Sequence, residues 1–233
     1  MKNKKRLRHL VGMSHESTLL AEDFIIGQSK MLEWGSGGST IYFSSLVDHY
    51  VSIEHSKKWS ASTTDAIGRY QVTNCDFYYV PLNDTKYDAD LDKNAKEILH
   101  GSKKWHKGYS DEDGREIWGF PYEVTRFKNL AHGHPVYKYN TRGGFEWHKG
   151  IDYINKPLEL KQKDPIKYGN YDVILVDGRC RQFCAYVARY LIKDDGYLLF
   201  DDFKNREQYH GILKWWKVIK YGKSLAVLQK KKI

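Results

Sequence analysis

The sequence predicts an α/β fold, a mostly parallel sheet with helices on both faces, and three observations carry that reading. Short apolar runs alternate with stretches of helical spacing from residue 17 to residue 81. Those runs are apolar at consecutive positions, as expected of strands buried on both faces by crossover helices. A bare loop, "GSGGST" (35–40), follows the first of them, where a strand would hand over to a helix.

Taken in order, "STLLAEDFII" (17–26) has helical spacing, with Ser14 or Ser17 available as its cap. "KMLEW" (30–34) is a short strand, "STIYFSSLVD" (39–48) a helix, and "YVSIEHS" (50–56) a second strand. "KKWSASTTDAIGRY" (57–70) is again helical and "CDFYYVP" (75–81) a third strand. The alternation then lapses. From about residue 82 to 170 the chain is polar, aromatic and Gly-rich, with "ADLDKNAKEILHG" (89–101) its one clear helix. A segment of that length is read as an inserted, substrate-binding part of a single domain, 1–233, that opens with a basic stretch, 1–13. Order returns with a fourth strand, "YDVILVDG" (171–178), a helix and turn at "CAYVARYLIKDDG" (184–196), and a fifth strand, "YLLFDDF" (197–203). "KWWKVIKYGKSLAVLQKK" (214–231) closes the chain as an antiparallel pair, giving seven strands.

Composition narrows the class. Aromatics are 15% of the chain, which suits a site that stacks flat or sugar-like rings. No run approaches the roughly 18 apolar residues of a membrane helix, and the basic start lacks the apolar core of a secretory signal. Cys75, Cys180 and Cys184 form an odd set with no second Cys/His pair for zinc, so they read as reduced, buried thiols and point to the cytoplasm. The net charge of +9 gathers at Lys2, Lys4, Lys5, Arg6 and Arg8 and at Lys230, Lys231 and Lys232, termini that read as solvated tails rather than as a nucleic-acid surface.

In open parallel sheets a ligand sits beyond the carboxyl ends of the strands. There the first strand delivers Glu33 and the glycine loop, the second Glu54, the fourth Asp177, and the fifth Asp201 and Asp202. Five acids at one edge need a cation or a donor-rich ligand. Glu54, nineteen residues after Gly35, is placed to accept the hydroxyls of a ribose resting on the loop. The loop carries Thr40 where a dinucleotide fingerprint has its last glycine, and Glu33 would repel a pyrophosphate. A cofactor with an ammonium and a sulfonium fits better. Gly35, Gly37 and Gly38 are expected to supply positive φ or close backbone approach.

"LEWGSGGST" resembles motif I of the class I S-adenosylmethionine-dependent methyltransferases, and "VSIEHS" their acidic ribose-binding strand end. "YDVILVDGRCR", "LLFDDFKNREQY" and "IWGFP" (117–121) are similar to a subgroup of bacterial and giant-virus methyltransferase-like proteins, which would place the chain in a bacterial or host cytoplasm. The resemblance covers about 31–81 and 171–229. It implies a Rossmann-like sandwich with an antiparallel last strand and the insert before the fourth. It also implies that Glu33, Trp34, Gly35, Ser36, Gly37, Gly38, Ser39 and Thr40 hold the methionine part and Glu54 the ribose. His55 and Trp59 would lie near the cofactor, Asp177 beside its methionine, and Asn74, Asp76 or the region of Trp118 at the adenine.

Asp177, Asp201 and Asp202 resemble the three-acid Mg²⁺ or Mn²⁺ site of metal-dependent sugar O-methyltransferases. Those enzymes carry an acid where this chain has Arg179, so the proton acceptor passes to Asp202 or to His132, His134 or His148. The expected activity is O-methylation of a sugar or glycan hydroxyl on a small-molecule or oligosaccharide acceptor. An RNA 2′-O-methyltransferase and a non-catalytic S-adenosylmethionine-binding module are the alternatives.

Overall fold

The computed structural model describes residues 7–82, 150–204 and 206–232, together with three short strands at 124–127, 136–139 and 145–146. Its main elements are α1 (His15–Ile25), β1 (Lys30–Trp34), α2 (Gly38–Ser44), β2 (His49–Glu54), α3 (Lys57–Arg69) and β3 (Cys75–Tyr79). The three short strands are β4 (Val124–Phe127), β5 (Val136–Tyr139) and β6 (Phe145–Glu146), an antiparallel sheet of their own. There follow α4 (Ile151–Lys163), β7 (Tyr171–Val176), α5 (Arg181–Ala188), β8 (Ile192–Phe200), a 3-10 helix at Glu207–Lys214, β9 (Trp216–Tyr221) and β10 (Ala226–Lys230). Among the described residues no helix is long and apolar enough to cross a membrane.

The expected seven-stranded sheet is present, in the order β3-β2-β1-β7-β8-β10-β9. The first five are parallel, and β10 runs antiparallel to both of its neighbours. The chain winds outward from β1 to β3 and then returns to lay β7 against the other side of β1. The winding direction changes between β1 and β7, and the ligand crevice of an open α/β sheet lies beyond the carboxyl ends of such a pair.

Alternation along β1 decides what each face receives. Met31 packs in the layer of α1 and α2, with Ala21, Ile25, Tyr42 and Phe43; Leu32 and Trp34 pack in the layer of α4 and α5, with Ile154, Phe183 and Ala188. Glu33 shares the parity of Met31 and so lies beneath α2. The strand is apolar at consecutive positions because it has no solvent face.

Two helices differ from expectation. Helix α4 lies within the span read as insert, so residues 150–170 belong to the main fold as the crossover into β7. Its pattern was obscured by Pro157, which has no N–H to give to the carbonyl of Tyr153. The Trp34 indole takes that vacant acceptor at 3.1 Å, tying the end of β1 to the start of α4. Helix α5 begins earlier than expected, at Arg181, and β8 begins at Ile192. "KDDG" is carried in a strand with a register shift against β7 rather than in a turn. The helix expected at 89–101 lies outside the described residues.

The basic N-terminal stretch is not wholly a solvated tail. Arg8 donates from Nε and Nη2 to the two carboxylate oxygens of buried Glu22, each at 2.5 Å. The carbonyl of Leu10 lies so close to Gly38 that a Cβ there would overlap it.

Candidate active site

Backbone hydrogen bonds stitch the crevice together. Gly35 N donates to Ile53 O at 2.9 Å, and Asp177 N and Gly178 N both donate to Trp34 O, at 2.9 and 2.8 Å. Gly35 has φ +96, and a Cβ on it would overlap the backbone of Gly178. Only Gly35 among the loop glycines is left-handed. Gly37, at φ 166, is extended and has open space around it, and Gly38 is required by Leu10 rather than by its own backbone. Positive φ, one of the two uses expected of these glycines, is therefore found at Gly35 and not at Gly37 or Gly38.

Glu33 does not reach the crevice. It is fully buried and accepts from Ser39 Oγ, from Thr40 Oγ1 at 2.6 Å and from Ser52 Oγ at 2.9 Å. It clasps the start of α2 from below, and its part in any methionine site is to hold the loop. Burial pushes its carboxyl up to about 7, against the three hydroxyls, which favour the charged form. The folded chain thus holds a proton that the unfolded chain has released above the ordinary value near 4.5. The contribution of Glu33 to stability falls as pH rises through this window, by about 3 kcal/mol, and is flat above it. Glu33→Gln removes that slope. Urea denaturation of both proteins at pH 5 and pH 8 checks it, and parallel profiles would contradict the assignment.

Glu54 stands at the end of β2, also buried, and faces the loop. Its Oε2 accepts from Ser36 N at 2.8 Å and from Ser36 Oγ at 3.2 Å, and its Oε1 from Ser56 N at 2.6 Å. His55 Nδ1 lies 3.1 Å from Oε1, close but off-line, an ion-pair contact rather than an aligned hydrogen bond. Burial opposes ionisation of Glu54, yet His55 and the N–H groups of Ser56 and Ser36 outweigh it and hold the carboxyl below its usual range. Ser36 Oγ has a second partner in Thr63 Oγ1 at 3.1 Å, so it can release Glu54 to an incoming hydroxyl.

The three acids expected to bind a metal are held by an arginine instead. The Arg181 guanidinium lies 3.0 Å from Asp177 Oδ1, 3.3 Å from Asp202 Oδ2 and 4.0 Å from Asp201 Oδ2. It also donates to the carbonyls of Gly178, Asp177 and Asp201 at 3.0, 2.8 and 2.6 Å. Arg206 adds a second cation 2.9 Å from Asp202, and Ser224 Oγ donates to Asp201 Oδ1 at 2.8 Å. The donor set therefore does not fit Mg²⁺ or Mn²⁺: the space between its carboxylates holds a guanidinium, and each acid already has a partner. Among the described residues no group of three or more His, Cys, Asp or Glu is arranged to hold a metal ion. Burial, Asp201 and Glu33 push the Asp177 carboxyl up, opposed by Arg181.

The remaining candidates are dispersed. Arg179 is exposed at the crevice mouth. Trp59, 56% exposed, sits in the first turn of α3, whose cap is Ser56. Asn74 donates to Ser44 O and Val47 O, and Asp76 pairs with His49 and Lys167. Both belong to the amino end of β3, the edge away from the crevice, and are removed from the adenine candidates. His132, His134, His148, Trp118 and "IWGFP" lie outside the described residues. Sequence reasoning missed Arg181, although it stands four residues after Asp177 in "DGRCR", and it missed Tyr153, whose helix it did not find.

No protein-family model and no curated protein matches the sequence. Among solved structures, a methyltransferase-like protein of Silicibacter pomeroyi superposes with a TM-score of 0.58 at 20% identity, over 95% of this chain and 88% of that one. The fold is a Rossmann-like methyltransferase fold. Two further structures align over nearly the whole chain, each with a TM-score of 0.47. They are a fibrillarin pre-rRNA processing protein of Methanococcus jannaschii (13% identity, 99% of this chain, 74% of that one) and an rRNA methylase of Streptococcus thermophilus (7%, 95% and 100%). These are too loose to bear on function, and the first likeness is one of fold.

Proposed function

We propose that this chain is an S-adenosylmethionine-dependent O-methyltransferase acting on a sugar or glycan hydroxyl without a divalent metal. One observation carries the cofactor reading. An ionised, buried acid at the end of β2 is tied to the bare loop after β1, beside a turn where Gly35 packs directly on Gly178 at the end of β7. When bound, the cofactor supplies a sulfonium methyl group for transfer to a nucleophilic oxygen. Glu54 accepts from the ribose hydroxyls as Ser36 Oγ falls back on Thr63. Asp177 takes the acceptor's proton: its environment strengthens it as a base, and Arg181 at 3.0 Å favours its ionised form. Exposed Trp59, and Tyr79 at the end of β3, offer flat faces to a sugar ring.

The test is transfer of labelled methyl from S-adenosylmethionine to panels of oligosaccharide and RNA acceptors in EDTA. Label in the sugar panel supports the reading. Label confined to RNA would favour the 2′-O reading, for which the +9 net charge speaks. In parallel, Glu54→Ala removes a charged acceptor whose hydrogen bonds are each worth about 1.5–3 kcal/mol. S-adenosylhomocysteine affinity, measured by calorimetry, should fall at least tenfold. Unchanged affinity would remove Glu54 from the site.

A further inference from the structure

Beside Gly178 lies a buried polar atom without a partner among the described residues. Tyr153, in the first turn of α4, is fully buried, and its hydroxyl has no hydrogen-bond partner among the described residues. That hydroxyl packs against Gly178, where a Cβ would overlap it and would also come within 3.0 Å of Gly35 N. The ring stands edge-on to His55, centroids 5.2 Å apart, and Glu54, Arg181, Cys180 and Cys184 are its charged and thiol neighbours. Its backbone carbonyl, freed by Pro157, is already taken by the Trp34 indole, so the residue is pinned from both ends of its position. A phenylalanine ring would fill most of this volume without the unpaired oxygen, since a buried hydroxyl lacking a partner opposes folding.

We infer that the Tyr153 hydroxyl is a ligand-binding group that hydrogen-bonds the cofactor held over Gly35 and Gly178. The inference rests on the cofactor reading above and adds a contact to it. Glycine at 178 leaves room for the hydroxyl, and glycine at 35 lets the loop backbone pack directly on Gly178 beside it. Burial keeps the phenol protonated throughout the working pH range, so it is always able to donate.

A second buried phenol supplies the control. The Tyr171 hydroxyl is also without a partner, but Tyr171 begins β7 and so belongs to the opposite edge of the sheet. The experiment compares wild type, Tyr153→Phe and Tyr171→Phe by thermal melting and by calorimetric titration with S-adenosylhomocysteine. Tyr153→Phe should melt no lower than wild type and bind roughly tenfold more weakly. Tyr171→Phe should bind as wild type does. A hydroxyl with a structural role would give the reverse in Tyr153→Phe, a lower melting temperature with unchanged affinity, and either of those results overturns the inference. If wild type itself does not bind, the cofactor reading fails and takes this contact with it. If wild type binds and Tyr153→Phe binds equally, only the contact is lost.

Discussion

Arg181→Met lowers the melting temperature by roughly 10 °C. The side chain is nearly enclosed, and it holds three carboxylates and three carbonyls at the ends of β7 and β8. Removing one partner of a buried charge cluster costs about 3–5 kcal/mol, because the charges left behind stay buried. For a chain of this size each kcal/mol moves Tm by about 2–4 °C. The loss has a pH signature. Without the guanidinium, the Asp177 carboxyl, already pushed up by burial, loses the cation that opposes that shift and rises further above its unfolded value. The variant's deficit is then smallest at low pH and grows as pH rises through that window. Mg²⁺ should restore part of the lost Tm in Arg181→Met by entering the space the guanidinium filled. Wild type should melt at one temperature in EDTA and in Mg²⁺. A wild type that loses stability in EDTA would contradict the assignment of Arg181 as the resident cation.

Gly35→Val is the second large effect. A β-branched residue at φ +96 is strained by about 1–3 kcal/mol, and its Cβ would overlap the backbone of Gly178, which adds an overpacking cost of about 1–3 kcal/mol. Most of the chain should then be unfolded or insoluble on expression at 37 °C. Gly37→Val is the contrast, since Gly37 is extended and has nothing within 4 Å of its would-be Cβ. It should melt within a few degrees of wild type, so any loss of ligand affinity there reports obstruction rather than unfolding. Equal Tm values for the two variants would show that the close approach of Gly35 to Gly178 is not a structural requirement.

How much of this was legible beforehand follows from particular residues. β1, β2 and β7 were readable because strands buried on both faces are apolar at consecutive positions, and β3, a half-buried edge strand, by its run of aromatics. Helix α4 was not, because Pro157 breaks the pattern that its buried Ile151, Ile154 and Leu160 would otherwise show. The acids at the strand ends were readable as a set, but their partners were not. Glu33 and Glu54 share a face of the sheet, since Glu33 is in register with Ser52, but Glu54 stands two residues further along, beyond the end of β1, and faces the loop instead of the underside of α2. Asn74 and Asp76 were misplaced for a reason the sequence already contained: residues at the start of a parallel strand lie at the opposite edge from the ligand. Arg181 was hidden by its neighbour Arg179, and only the turn into α5 shows which of the two folds back over the carboxylates.

The account stands on a ligand bound at the β1–β7 crevice, and a calorimetric titration of the wild-type chain with S-adenosylhomocysteine, beside one with NAD, tests it most directly. The predicted result is saturable one-to-one binding of S-adenosylhomocysteine in EDTA and no heat from NAD. Binding of NAD without S-adenosylhomocysteine, or of neither, would contradict it.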